Sequence, residues 1–138
     1  MAAFNKINSF SAALATKVHN LSVDTLKVML TNTAPVATNT VYANLVDLAT
    51  AGGYTAGGTA TTITSASQTA GTFKLVITNV VFTATTGFGP FRYVALYNSS
   101  ATNSELIGWF DYGSSISLNA SETFTTSFDA TNGVLTLA

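Results

Sequence analysis

A chain of 138 residues without cysteine is long enough for one domain with its own core, and it excludes a disulfide framework or a thiolate metal site. One His, six scattered carboxylates and a formal net charge of −1 leave little from which to build a metal cluster, and no electrostatic pull toward nucleic acid or an anionic membrane. Charged residues are 8% of the chain, against about 25% in ordinary soluble domains, so its surface repels copies of itself weakly and suits being covered by partners.

In chain order, Phe4, Ile7, Phe10, Leu14, Val18 and Leu21 recur every three or four residues. That spacing predicts an amphipathic helix over about 3–20, closing near His19-Asn20. Such a helix either packs on the domain or docks on another subunit. Leu26 to Thr31 alternates as a strand, with Leu26, Val28 and Leu30 inward and Lys27, Met29 and Thr31 outward. Residues 32–58 read as a long connection, with two helical turns over Val41–Ala49 and a Gly-rich close around Tyr54. Connections of that length often serve as binding loops or arms.

From Thr59 the chain reads as strands to its C-terminus: Thr59–Ser67, Thr72–Thr78, a phase-shifted Val80–Phe82, then a central pair. Gly89–Asn98 and Leu106–Tyr112 flank a seven-residue turn, Ser99–Glu105, and are apolar on both faces, as strands in the middle of a sheet are. The pair contains the sole Trp, the sole Arg and three of five Tyr. Ser115–Leu118, Thr123–Phe128 and Val134–Leu137 complete the series. The fold class expected is all-β: a single domain over 1–138, a jelly-roll-like antiparallel β-sandwich of about eight strands with one N-terminal amphipathic helix.

Catalytic chemistry finds few carriers. His19 falls at the predicted helix end, where a capping or surface role is expected. Asp111 and Glu122 are the candidate carboxylate pair for glycoside hydrolysis, yet Asp111 in Trp-Phe-Asp-Tyr reads better as an edge residue of a core strand. The glycines around Tyr54 lack the Lys and helix start of a phosphate loop. Arg92 between Phe91 and Tyr93 could clamp a partner carboxylate, or pair with Asp111 across the hairpin. No catalytic residue, cofactor or metal is expected.

A set of motifs in fixed order carries a resemblance: His19-Asn20-Leu21, Asp24-Thr25-Leu26-Lys27-Val28, Leu30-Thr31-Asn32-Thr33-Ala34-Pro35, Gly53-Tyr54-Thr55-Ala56-Gly57-Gly58, Gly89-Pro90-Phe91-Arg92-Tyr93, Leu96-Tyr97-Asn98 and Leu106-Ile107-Gly108-Trp109-Phe110-Asp111-Tyr112-Gly113. Together they resemble the small structural proteins of tailed bacteriophages, and within them the jelly-roll capsid cement or decoration proteins. The likeness spans nearly the whole chain. It implies a non-enzymatic virion protein on the outer surface of the phage head, a homodimer whose partner is the major capsid protein, with no nucleic acid and no membrane. Phe4, Phe10, Tyr54 and Arg92 are the expected interface residues, with the helix and the 32–58 connection as contact elements. The alternative is a tail- or fibre-associated carbohydrate-binding module, with Trp109, Tyr112 or Tyr97 stacking on sugar rings.

Overall fold

A computed structural model describes residues 2–138. The chain is mostly strand and wholly antiparallel in its pairing, an antiparallel β-sandwich as its alternation predicts. Its elements are β1 (Asn5–Lys6), α1 (Phe10–Ala15), β2 (Leu26–Thr31), a 3₁₀ turn (Tyr42–Asn44), β3 (Thr59–Thr61), β4 (Ile63–Thr69), β5 (Thr72–Ile77), β6 (Val80–Thr83), β7 (Gly87–Asn98), β8 (Leu106–Asn119), β9 (Thr123–Thr126) and β10 (Leu135–Leu137). A five-stranded sheet runs β1-β8-β7-β2-β3, beside a three-stranded β10-β5-β4 and a two-stranded β6-β9. Leu75 and Ile77 of β5 and Val80 and Phe82 of β6 join Leu26, Val28, Leu30, Val94 and Leu96 in one buried core.

The β7–β8 hairpin is the spine. Its strands meet at Val94↔Phe110, Ala95↔Trp109 and Leu96↔Gly108, with Ser99–Glu105 as the turn between them. Both strands run longer than the apolar pattern suggests. The expected separate strand Ser115–Leu118 is the far end of β8, reached through a register shift opposite Phe91–Tyr93. The phase shift at Val80–Phe82, which a bulge or a bend would produce, is a bend of the chain from one sheet to another: β5 pairs with β4 and β10, whereas β6 pairs with β9.

The N-terminal helix is much shorter than 3–20. Asn5 and Lys6 pair instead with Trp109 and Gly108 on the outer edge of β8. The helix then closes after Ala15 in a Schellman turn, where the Val18 N–H donates to the Ala13 carbonyl at 2.8 Å and the Lys17 N–H to Leu14 at 3.3 Å. Lys17, not Asn20, takes the left-handed conformation. Ile7, Phe10 and Leu21 are buried as the stripe requires, but Phe4 and Leu14 are only part-buried and Val18 is exposed, so the pattern overstates the helix and reports burial in part.

The 32–58 connection is no free arm. It has one 3₁₀ turn rather than two turns of α-helix, and it lies against β2. β3 pairs β2 only from Leu26 to Val28. Beyond that, Leu30 donates its N–H to the Tyr54 hydroxyl at 3.1 Å and accepts the Leu48 N–H at 3.3 Å. The Thr31 hydroxyl donates to the Val46 carbonyl. Met29 and Thr31, expected outward, are therefore fully buried. At the far end of the sandwich, β4 and β5 meet in a two-residue turn, Ala70-Gly71, both with positive φ as a type I′ hairpin demands.

Candidate functional site

The four expected interface residues separate in the fold. Phe10 is 1% exposed and Tyr54 2% exposed, so neither presents a side chain to a partner; both belong to the core. Phe10 packs inward from α1 with its ring 5.4 Å from His19. Tyr54 sits between Phe82 and Phe88, at 5.8 and 5.6 Å, because the Gly-rich segment turns the connection back over the sandwich. Its hydroxyl, accepting from Leu30, donates to Asp47. Asp47 also accepts the Tyr42 hydroxyl at 2.6 Å and the Gly57 N–H, while Tyr97 donates to the Gly57 carbonyl at 2.6 Å. Burial first, then hydrogen bonding to Asp47, pushes the Tyr42 and Tyr54 phenols above their ordinary value. Asp47 is the organising polar residue that sequence reasoning missed. Its signal was a single carboxylate in an otherwise uncharged run of 33 to 73, which is hard to leave unpaired against a core.

Phe4 and Arg92 remain part-exposed. Arg92 forms a two-pronged pair with Asp111, Nε to Oδ1 at 2.8 Å and the second prong at 2.9 Å, and lies 5.4 Å from the Tyr93 ring. Asp111 also accepts the Gly113 N–H at 2.8 Å. The Arg92 hydrogen bond, then the Gly113 N–H, holds the Asp111 carboxyl below its usual range. Asp111 in turn holds the guanidinium proton more tightly. Arg92 is thus engaged within its own hairpin rather than free to clamp a partner. Glu122, the other candidate carboxylate, accepts the Asn119 N–H at 2.7 Å and closes the β8–β9 turn. Each acid serves local structure, and no His/Asp/Glu group of metal-binding arrangement occurs among the described residues.

Phe4 lines a small hollow with Phe110, Phe128 and Val134. Its ring lies 5.3 Å from Phe110, which lies 5.9 Å from Phe128; Tyr112 stands edge-on to Phe124 at 5.7 Å. Phe110, Tyr112, Phe124 and Phe128, with Val94 and Ala2, line a cleft of about 190 Å³ between β8 and β9, and Phe4 lies outside it. It forms because β9 pairs only with β6, and β1 covers β8 only at Gly108 and Trp109. The rings proposed for sugar stacking are not grouped there. Tyr112 is exposed and Trp109 half-buried, but Tyr97 is interior.

The outer face of β6-β9 is uncharged, with Val81 paired to Thr125 and Thr83 to Thr123, all four exposed. Val23, Val36 and Val46 are exposed elsewhere. No helix among the described residues is long and apolar enough to cross a membrane. No protein-family model, curated protein or solved structure matches the chain.

Proposed function

We propose that this chain is a non-enzymatic structural protein of a tailed-phage virion. In this reading it binds the outer surface of the head as a cement or decoration protein and bridges neighbouring major capsid protein subunits. The observation that carries the reading is the uncharged, β-branched skin, seen best on the Val81, Thr83, Thr123 and Thr125 face. Burying such a surface requires no charge to be desolvated and paired. Many copies on a fixed lattice add weak contacts at high effective concentration, so no single contact needs to be tight. The ordered motifs that resemble phage cement proteins point the same way. A homodimer fits the outer edge of β8 beyond Trp109, which pairs with no other strand among the described residues.

The experiment compares heads with and without this protein under heating or low salt. Heads that lose their contents earlier without it support cementing, and equal resistance overturns it. The second reading, a carbohydrate-binding module on the tail or a fibre, draws on the aromatic cleft around Phe110, Tyr112 and Phe124. Antibody labelling of the tail tip together with glycan-array binding would favour it, and uniform head labelling would favour cement.

A further inference from the structure

His19, the sole histidine, is not at the surface where the sequence suggests it lies. It is 4% exposed, held between α1 and the β7–β8 turn. Its Nδ1 lies 3.0 Å from the Nδ2 of Asn98, itself fully buried. The Asn98 amide has one orientation open to it. Its Oδ1 accepts the Ser100 N–H at 2.9 Å, and its Nδ2 donates to Asp24. Since Nδ2 can only donate, His19 Nδ1 must accept, and the ring proton sits on Nε2, which is buried without a hydrogen-bond partner. A second proton would have to go on Nδ1, placing donor against donor. Turning Asn98 over to receive it would set its oxygen against the Asp24 carboxylate and break the bond from Ser100.

We propose that His19, Asn98 and Asp24 form an acid-sensitive latch: the neutral imidazole holds residues 10–25 against the β7–β8 turn, and protonation of the ring frees that segment while the sheets stay folded. Asn98 bonds both His19 and Asp24, and neighbouring bonds support the junction. Asp24 also accepts the Asn20 N–H at 2.7 Å, and Ser99 and Ser100 bond Thr25 at 3.0 and 2.8 Å. The charged groups around the ring come from three places: Asp24 before β2, Glu105 at the end of the turn, and Lys17 after α1, lining the same hollow as His19. β5 and β10 contribute only Phe73 and Leu137 to that hollow.

Burial disfavours the cation more than Glu105 and Asp24 favour it, so the folded ring titrates below the ordinary histidine value. The latch is therefore at full strength above about pH 6.5 and weakens as pH falls from there toward the folded value. Within that window one linked proton raises the opening constant about tenfold per pH unit. The latch rests on the fold alone and holds whether or not the virion reading does.

With one histidine, ring-nitrogen NMR of the intact chain is unambiguous. The expected result is the Nε2–H form, titrating below a denatured control. Amide exchange, corrected for intrinsic rates, should show Val18, Asp24 and Ser99 opening faster as pH falls below the ordinary histidine value, approaching about tenfold per pH unit until the folded ring itself titrates. The β2–β7 ladder should not change. In His19→Asn, which keeps an acceptor near Nδ1 and does not titrate, the acid dependence should vanish. An Nδ1–H form, a midpoint at or above the control, or β2–β7 amides opening in parallel would each overturn the latch. So would an undiminished acid response in the variant; should it not fold, the wild-type titration and exchange decide alone.

Discussion

At the scale of single residues, the fold depends on a few polar atoms buried where they cannot be replaced. Tyr54→Phe removes a hydroxyl that both receives the Leu30 N–H and donates to Asp47. It leaves a buried strand amide unmet, and urea unfolding should show a loss of about 1–3 kcal/mol. Arg92→Ala breaks a visible ion pair but an exposed one, its side chains 38% and 40% accessible, so it should lower Tm less than Tyr54→Phe does and lose most of its effect in high salt. Ala70 offers the opposite opportunity. It holds φ of 50° in the β4–β5 turn, a conformation that costs a side chain with Cβ about 1–2 kcal/mol unless, like Asn, it bonds locally. Ala70→Asn should raise Tm in a thermal melt, and a fall would show that the turn is not type I′ in solution.

At the scale of elements, strands were easier to read than helices or connections. The β7–β8 hairpin and its Ser99–Glu105 turn were legible because apolar residues on both faces have one meaning, a central strand. The N-terminal stripe was ambiguous. Ile7, Phe10 and Leu21 bury themselves at helical spacing although only Phe10 to Ala15 is helix, because the open edge of β8 offers Asn5 and Lys6 backbone partners that no local pattern encodes. The 32–58 connection looked like an arm because its fastening relies on partners distant in sequence: Leu30, Tyr97 and the single acid Asp47. For the same reason the expected contact residues Phe10 and Tyr54 were misplaced, since a large apolar side chain in a loop looks alike whether it faces a partner or its own core. β1 can be tested directly. A Cβ at Gly108 would stand 2.6 Å from the Asn5 carbonyl and collide with the Phe4 ring. Gly108→Ala should therefore lift β1 from β8. Trp109, the sole tryptophan and the partner of Asn5, should report this as red-shifted fluorescence with the remaining sheet intact.

At the scale of the whole molecule, neutrality is the governing property. With five basic and six acidic residues, and Arg92–Asp111 already paired, little charge remains to oppose contact between copies. Association should therefore be driven by apolar and hydroxyl-bearing surface and respond weakly to ionic strength. Sedimentation at low and high salt should show the same concentration-dependent shift, and association abolished by salt would place the contact on charges instead. The β4–β5 turn has a practical consequence at this scale. Gly71 projects with no atom within 4 Å of where its Cβ would stand, and Ala70 beside it is exposed. A foreign peptide spliced between them would project from the hairpin tip, making it a natural handle for attaching cargo without disturbing the β6–β9 face or the β8 edge.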